Sequence, residues 1–285
     1  MASDLPPLPE ADCTAEAPRL TISVARLEQL SPALLELGCP ARVYIPLEEV
    51  SRLESLPGEG PEWCAVLPRV WRDRDEPALR TLLERARALG FTGVLIGNLG
   101  HLPLVRGLNF HLYGDYGLNV FNSRSLAYLK DKELESACVS FELRFAQIRD
   151  LKKVLRAEAI VYGRLPLMIA ENCLVQNETG CRLDRQGPCV PEDGPCRCGQ
   201  PNVLVDRTGA AFPLLPAYGH RTEIQNSKPL YLADRPEHRR LGLAYARLRF
   251  TTETAEECVS VVQNYLDAAP AAGDFTRGLY ERGVE

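Results

Sequence analysis

Strand-length apolar runs and helix-period segments take turns along almost the whole chain, and this alternation limits the possible folds more than any other feature of the 285 residues. The run LTISV (Leu20–Val24) is followed by leucines 27, 30, 34 and 37 at helical spacing. RVYIPL (42–47) precedes a short acidic helix around 48–56, and AVLPRV (65–70) precedes EPALRTLLERARALG, a helix that Gly90 closes. GVLIGNL (93–99), a strand within 110–120, ACVSFEL (137–143) and AIVYGRLPLMI (159–169) continue the series, with helices from about Ser123 and in FAQIRDLKKVLR. An eighth run, LGLAYARLRF (241–250), leads into a helix over 254–266, where Thr254 and Glu257 are spaced as a capping box. Eight strands with seven or eight helices in about 250 residues predict an α/β fold of the (β/α)8 TIM-barrel type, with a doubly wound open sheet as the alternative. Ala25-Arg26-Leu27 after the first strand is not a GxGxxG fingerprint, which argues against dinucleotide binding. Residues 1–18 read as a flexible leader and residues 19–285 as a single barrel domain.

Composition narrows the class further. With 45% hydrophobic and 25% charged residues the chain has enough apolar surface to offset its conformational entropy, so disorder is excluded as the dominant state. No stretch of roughly 18 uncharged apolar residues is present, so no membrane span is expected. The first residues are acidic and proline-rich, without the basic start and apolar core of a secretory signal, which predicts a cytoplasmic protein. A net charge of −5 argues against bulk coating of nucleic acid but leaves room for a local basic patch. The basic stretches RDLKKVLR (149–156) and RPEHRRLGLAYARLRF (235–250) read as solvated helix faces, with contact to RNA phosphates as the alternative.

The rhythm breaks over residues 170–235, which are rich in Cys, Gly, Pro, Asp and Asn and carry no helical period. In a barrel this excursion lies between strands 7 and 8 and leaves the C-terminal face, where active sites are built; it is too long for a mere connection. Five of the ten cysteines, Cys173, Cys181, Cys189, Cys196 and Cys198, fall within it. A segment without a core of its own needs another source of order, and a metal held by thiolates supplies one. The intervals of seven, seven, six and one residues match neither paired CxxC zinc ribbons nor ferredoxin spacings, so both zinc and an iron–sulfur cluster remain open. His220 is a candidate further ligand. No GxSxG elbow, HExxH helix or arguable Cys–His pair is present, so hydrolysis has no visible sequence-level mechanism. Asp206-Arg207 and Arg221-Thr222-Glu223 are expected to stabilise the excursion itself, pairing as it folds over the barrel mouth.

GDYGLNVFNS (114–123), VSFEL (139–143), VYGRLPLM (161–168) followed by Cys173, DRTGAAFPL (206–214), RTEIQNSKPL (221–230) and FTRGLYERGV (275–284) together resemble peptidase family U32, the collagenase-like proteases. The likeness runs from about Leu20 onward and is greatest to the C-terminal barrel of the long members. It implies a barrel and a cluster-binding cysteine segment after the seventh strand. The family name implies proteolysis. Relatives in the family instead imply oxygen-independent hydroxylation of transfer RNA, ribosomal RNA or the ubiquinone ring, with a [4Fe–4S] cluster and, for RNA, prephenate as co-substrate. A third implied role is that of a non-catalytic partner subunit. By motif, Cys173 and Cys181 match the first two family cysteines and Cys196 or Cys198 the third. The fourth usually precedes the RTEI-like motif, where this chain has His220. Either His220 ligates, or Cys189 or the second cysteine of Cys196-Arg197-Cys198 takes its place, or zinc is held instead.

Strand ends on the C-terminal face are where catalytic residues belong in such a barrel. Arg69, Asn98, Asp115, Asn119, Asn122 and Glu142 fall near such ends. Asn122 also reads as a helix cap, and Glu142 as the partner of a buried arginine. Arg69, or Arg164 after the seventh strand, has the planar fork that grips a carboxylate such as prephenate's.

Overall fold

The computed structural model describes residues 7–12, 17–38, 40–179 and 201–282. Seven parallel strands come first: β1 (Arg19–Ser23), β2 (Arg42–Pro46), β3 (Glu62–Val66), β4 (Gly93–Ile96), β5 (His111–Gly114), β6 (Ser136–Cys138) and β7 (Arg156–Gly163). Between them lie α1 (Pro32–Gly38), α2 (Glu76–Ala88), α3 (His101–Val105), α4 (Ser123–Asp131) and α5 (Phe145–Asp150). The chain then leaves the barrel through β8 (Pro166–Ala170), α6 (Leu174–Thr179), β9 (Asn202–Val205), β10 (Ala211–Ala217) and β11 (Arg221–Gln225). It returns through β12 (Leu230–Tyr231) to β13 (Tyr245–Arg249) and ends in α7 (Ala255–Leu266). β13 pairs in parallel with both β1 and β7, and β6 pairs with β7, so β1–β7 and β13 close into an eight-stranded parallel barrel. The TIM-type barrel expected from the alternation is the observed fold.

Local chemistry explains most of the boundaries. Thr254 accepts from Glu257 N through its hydroxyl, and Glu257 answers to Thr254 N at 2.8 Å, so the expected capping box starts α7. Asn122 Oδ1 accepts from Ser125 N at 2.9 Å and caps α4. β3 begins three residues earlier than its apolar run suggests and stops before Pro68, which cannot donate to the ladder. The acidic helix expected over 48–56 is a single 3-10 turn, Glu49–Arg52. The run 159–169 is not one strand but two. At Gly163 the backbone turns at φ +118°, so β7 ends there and β8 leaves in a different sheet.

The excursion is not irregular throughout. β8, β11, β10 and β9, in that order, form a four-stranded antiparallel sheet over the barrel mouth. Two prolines within β10, Pro213 and Pro216, hide this strand from a sequence reading. β9 pairs with β10 only over 211–214 and β11 only over 214–217. Each proline therefore has a strand on one side only, the edge-like position that tolerates a missing N–H. Of the leader, Leu8 packs on the core and Asp12 N donates to Lys153 O at 2.6 Å.

Candidate functional site: an arginine-lined cavity at the barrel mouth

The barrel lumen is filled by polar and aromatic side chains. Along a strand, alternate residues face opposite sides. On β13 this sends Tyr245, Arg247 and Arg249 inward, and Ala246 and Leu248 into the apolar layer beneath the helices. Side chains from strands that are not neighbours consequently meet. Arg42 of β2 donates to Ser136 Oγ of β6 at 2.9 Å and to the Tyr245 hydroxyl at 3.1 Å, and pairs with Glu62 at 2.8 Å. Its guanidinium lies 3.6 Å from the centroid of the Tyr113 ring.

One layer up, Glu158 accepts from Thr21 Oγ1 at 2.6 Å, from the Tyr44 hydroxyl at 3.1 Å, and from Arg247 Nε at 3.0 Å and Nη2. Arg247 also donates to Asp115 Oδ1 at 2.5 Å. Burial pushes the Tyr44 phenol and the Cys64 thiol well up, so both remain protonated.

Above this column lies a cavity of about 390 Å³, bounded by the ends of the barrel strands below and the antiparallel sheet above. Five arginines line it (Arg26, Arg69, Arg221, Arg247 and Arg249) together with three carboxyl residues, Glu48, Asp115 and Glu223. Glu223 hangs from β11 into the mouth. It accepts from Arg249 Nη2 at 2.9 Å, from Gln225 Nε2 at 2.8 Å, and from Arg69 Nη1 and the Tyr116 hydroxyl at 3.3 Å each. Arg249 is anchored further by the Arg164 carbonyl at 2.6 Å and Gln225 Oε1 at 2.8 Å. Arg69, with 35% of its side chain exposed, reaches Glu223 only at 3.3 Å, and its guanidinium lies 5.1 Å from the centroid of the Tyr116 ring. Two arginines thus share one carboxylate, while Arg247 is shared by two, Asp115 and Glu158, so these three cations and three carboxylates balance. Arg26 adds a further cation, since it makes no ion pair among the described residues and its Nε is buried without a partner. Burial, with Glu49 beside it, pushes the Glu48 carboxyl up to about 7.

The family model for peptidase family U32 matches residues 56–202. This chain belongs to peptidase family U32. Among solved structures, the U32 peptidase Mk0906 is similar over 86% of this chain and 98% of its own, at 8% identity and a TM-score of 0.46. The spore cortex-lytic enzyme SleL of Bacillus cereus is similar over 88% of this chain and 75% of its own, at 7% identity and a TM-score of 0.39. A GH18 chitinase of Cycas revoluta in complex with allosamidin is similar over 87% of this chain and 98% of its own, at 12% identity and a TM-score of 0.38. No curated protein sequence matches the chain.

Within the U32 chain, two of the residues singled out at strand ends, Arg69 and Asp115, line the cavity. The others lie elsewhere. Asn98 accepts from Gly100 N at 2.8 Å, Asn119 takes a left-handed turn conformation at φ 51°, and Asn122 caps α4. Glu142 does not pair with a buried arginine; among the described residues it makes no ion pair. Arg164 donates to the Asn226 carbonyl at 3.1 Å and to that of Ser227, so its fork ties the two ends of the excursion together and lies off the cavity wall.

The expectation that 221–223 serves only the excursion holds in part. Arg221 pairs with Glu171 at 3.1 Å, but Glu223 reaches down to the barrel arginines. The stretch 235–250 is not a solvated helix face: on β13 Arg247 is buried and the Arg249 side chain is only 11% exposed. Within 149–156 the basic residues Arg149, Lys152 and Arg156 are exposed, as expected, whereas Lys153 is buried and donates to the Ile148 carbonyl at 2.6 Å. The signal for the missed Arg247 and Arg249 was their two-residue spacing with Tyr245 inside an apolar strand.

Of the expected metal ligands, Cys181, Cys189, Cys196 and Cys198 lie outside the described residues. Cys173 is half-buried, forms no disulfide, and its Sγ accepts from Gln176 N at 3.4 Å. Ala170 pairs with Thr222, and Leu174 N donates to Thr222 Oγ1 at 3.0 Å, which places Cys173 and His220 at the same end of the sheet. β9 also begins at that end, where the chain returns from the cysteine-bearing stretch. Among the described residues no group of three or more His, Cys, Asp or Glu is placed to hold a metal. No helix among them is long and apolar enough to cross a membrane.

Proposed function

We propose that this U32 protein binds a small carboxylate in the cavity at the barrel mouth and takes part in oxygen-independent hydroxylation of RNA or a small aromatic. The observation that carries the reading is the pair of loosely held cations, Arg69 with its long contact to Glu223 and Arg26 with no ion pair among the described residues, on the wall of a cavity of about 390 Å³, a size suited to one small molecule. Arg69 would grip the carboxylate, with Arg249 held rigid behind it by Glu223 and Gln225. Prephenate is the co-substrate that the family relationship suggests. Cys173 and His220, brought to one end of the roof sheet, fit as flanking ligands of a thiolate-bound centre completed from Cys181, Cys189, Cys196 and Cys198. Such a centre, [4Fe–4S] or alternatively zinc, would supply electron transfer in the first case and Lewis acidity in the second. Proteolysis receives less support, since neither a cysteine nor a histidine lines the cavity among the described residues.

Two results test the reading. Arg69→Gln is expected to weaken binding of phenylpyruvate, a stable aromatic carboxylate, by about ten- to a hundredfold while leaving the unfolding midpoint in place, in keeping with the usual strength of a hydrogen bond to a charged group. Unchanged affinity in calorimetric titration would overturn the assignment of Arg69. Anaerobically purified protein is expected to contain iron and sulfide and to absorb in the visible range, and Cys173→Ser to lose both metal and colour. A colourless protein without iron after reconstitution sinks the cluster, bound zinc redirects it, and digestion of gelatin unaffected by chelators or cysteine replacement supports the peptidase name.

A further inference from the structure

The three carboxyl groups of the cavity differ in their partners. Asp115 is paired with Arg247 at 2.5 Å and Glu223 with Arg249 at 2.9 Å. Glu48 lines the same wall just beyond the end of β2 and makes no ion pair among the described residues. Its own 3-10 turn contributes Glu49, whose carboxylate is taken up by Arg52 at 2.7 Å and by Leu27 N at 3.2 Å. Tyr218 faces it from the roof, and Asp75, Arg221 and Arg74 are the other charged groups near that phenol. Arg26 and Arg69 bring cations to the cavity from the loops after β1 and β3. Glu48 is half-buried at this wall and, among the described residues, has no ion pair to hold its charge. Occupation of the cavity by an anion adds a further negative charge to the same space.

We propose that Glu48 is the proton-exchanging group of this cavity: when a carboxylate binds there, Glu48 takes up one proton from solvent, and when the cavity empties it gives the proton back. The proposal rests on the carboxylate reading above. Its consequence is reciprocal, because a bound anion that favours protonated Glu48 binds less tightly wherever Glu48 is ionised. The position of the group, near 7 in the unliganded protein, sets the window. Binding should be strong below pH 6 and weaken as pH rises through 7 to 8. Two unit charges about 10 Å apart at an effective dielectric of about 20 correspond to a change of order tenfold in affinity.

The test is titration calorimetry of the full chain with phenylpyruvate at pH 6.0 and 8.5, in buffers of different ionisation enthalpy, for the wild type and Glu48→Gln. The expected result is an approximately tenfold weaker wild-type affinity at pH 8.5, with net proton uptake near neutrality, and a Glu48→Gln affinity independent of pH. A flat wild-type profile, or a slope that survives in Glu48→Gln, overturns the proposal. If the wild type binds no phenylpyruvate at either pH, the carboxylate reading fails and the coupling to binding falls with it.

The titration of Glu48 itself is then judged without ligand, from urea unfolding at pH 5 and 8. A carboxyl raised in the folded state and ordinary in the unfolded one is protonated only when folded between about 4.5 and 7, so folded protein loses stability as pH rises through that range. Wild type losing stability relative to Glu48→Gln between these pH values sustains the proton exchange. Parallel behaviour of the two proteins overturns it.

Discussion

Replacing Arg247 by methionine is expected to destabilise the protein by about 3–5 kcal/mol, the usual consequence of removing one partner from a buried charge cluster, seen as a lower urea midpoint. Its side chain is 1% exposed and stands between Glu158, also 1% exposed, and Asp115 at 6%. Methionine fills much of the same volume, so packing alone accounts for little of the loss. What remains is two carboxyl groups inside a barrel with no cation between them, and burial of an unpaired charge is among the most costly changes a core can suffer. The double variant Glu158→Gln with Arg247→Met should recover part of the loss, because it removes one of the stranded charges. A loss below about 1 kcal/mol in the single variant would mean that the cluster is not what holds these strands in register.

The second large effect is at Gly163. A Cβ there would lie 2.0 Å from the carbonyl oxygen of Arg249 and 3.0 Å from its carbonyl carbon, and the residue has φ +118°. Gly163→Ala therefore combines backbone strain with a clash against backbone that no rotamer change relieves, and is expected to destabilise by about 3 kcal/mol or more. Gly107→Ala is the control. That glycine has φ +80° but nothing within 4 Å of an added Cβ, so only the strain of about 1 kcal/mol applies. Equal losses in thermal or urea unfolding of the two variants would show that the contact with Arg249 is readily relieved. The site is affected as well. The Arg249 backbone displaced by the clash carries the guanidinium that holds Glu223, so any folded Gly163→Ala protein should bind phenylpyruvate more weakly than wild type.

Several features of the molecule can be read from local chemistry. The capping box of Thr254 and Glu257, the cap at Asn122 and the closing glycine of α2 each depend on neighbours within a few positions. Each was legible because the groups that satisfy the backbone lie next to it in the chain. Arg69 and Asp115 were legible as strand-end residues of a barrel, since that fold assigns its C-terminal face to chemistry. Glu223 was not legible as part of the mouth. Its partner Arg69 is 154 positions away, and no local period connects the two. Glu48 was missed for a related reason: an acidic pair such as Glu48-Glu49 after a strand looks like any solvated turn until a second sheet covers it. The roof sheet stayed hidden behind Pro213 and Pro216, which speak against a central strand unless the neighbouring strands are known to be short.

By itself the sequence determined the alternation of strand and helix, the two-residue spacing of Tyr245, Arg247 and Arg249, and the presence of a long excursion between the seventh and eighth barrel strands. Hydrophobic period and turn chemistry act over a few residues, and those signals survive in a linear string. Only the tertiary structure decided which face of β13 is inside, because alternation marks two faces without saying which one a closed sheet encloses. Closure through the pairing of β6 with β7 turned the polar face into the lumen, where charges from distant strands neutralise one another. The antiparallel roof then set Glu223 between Arg69 and Arg249. That sharing of one carboxylate by two arginines leaves Arg69 loosely paired at the cavity wall, and it exists only where three remote segments meet.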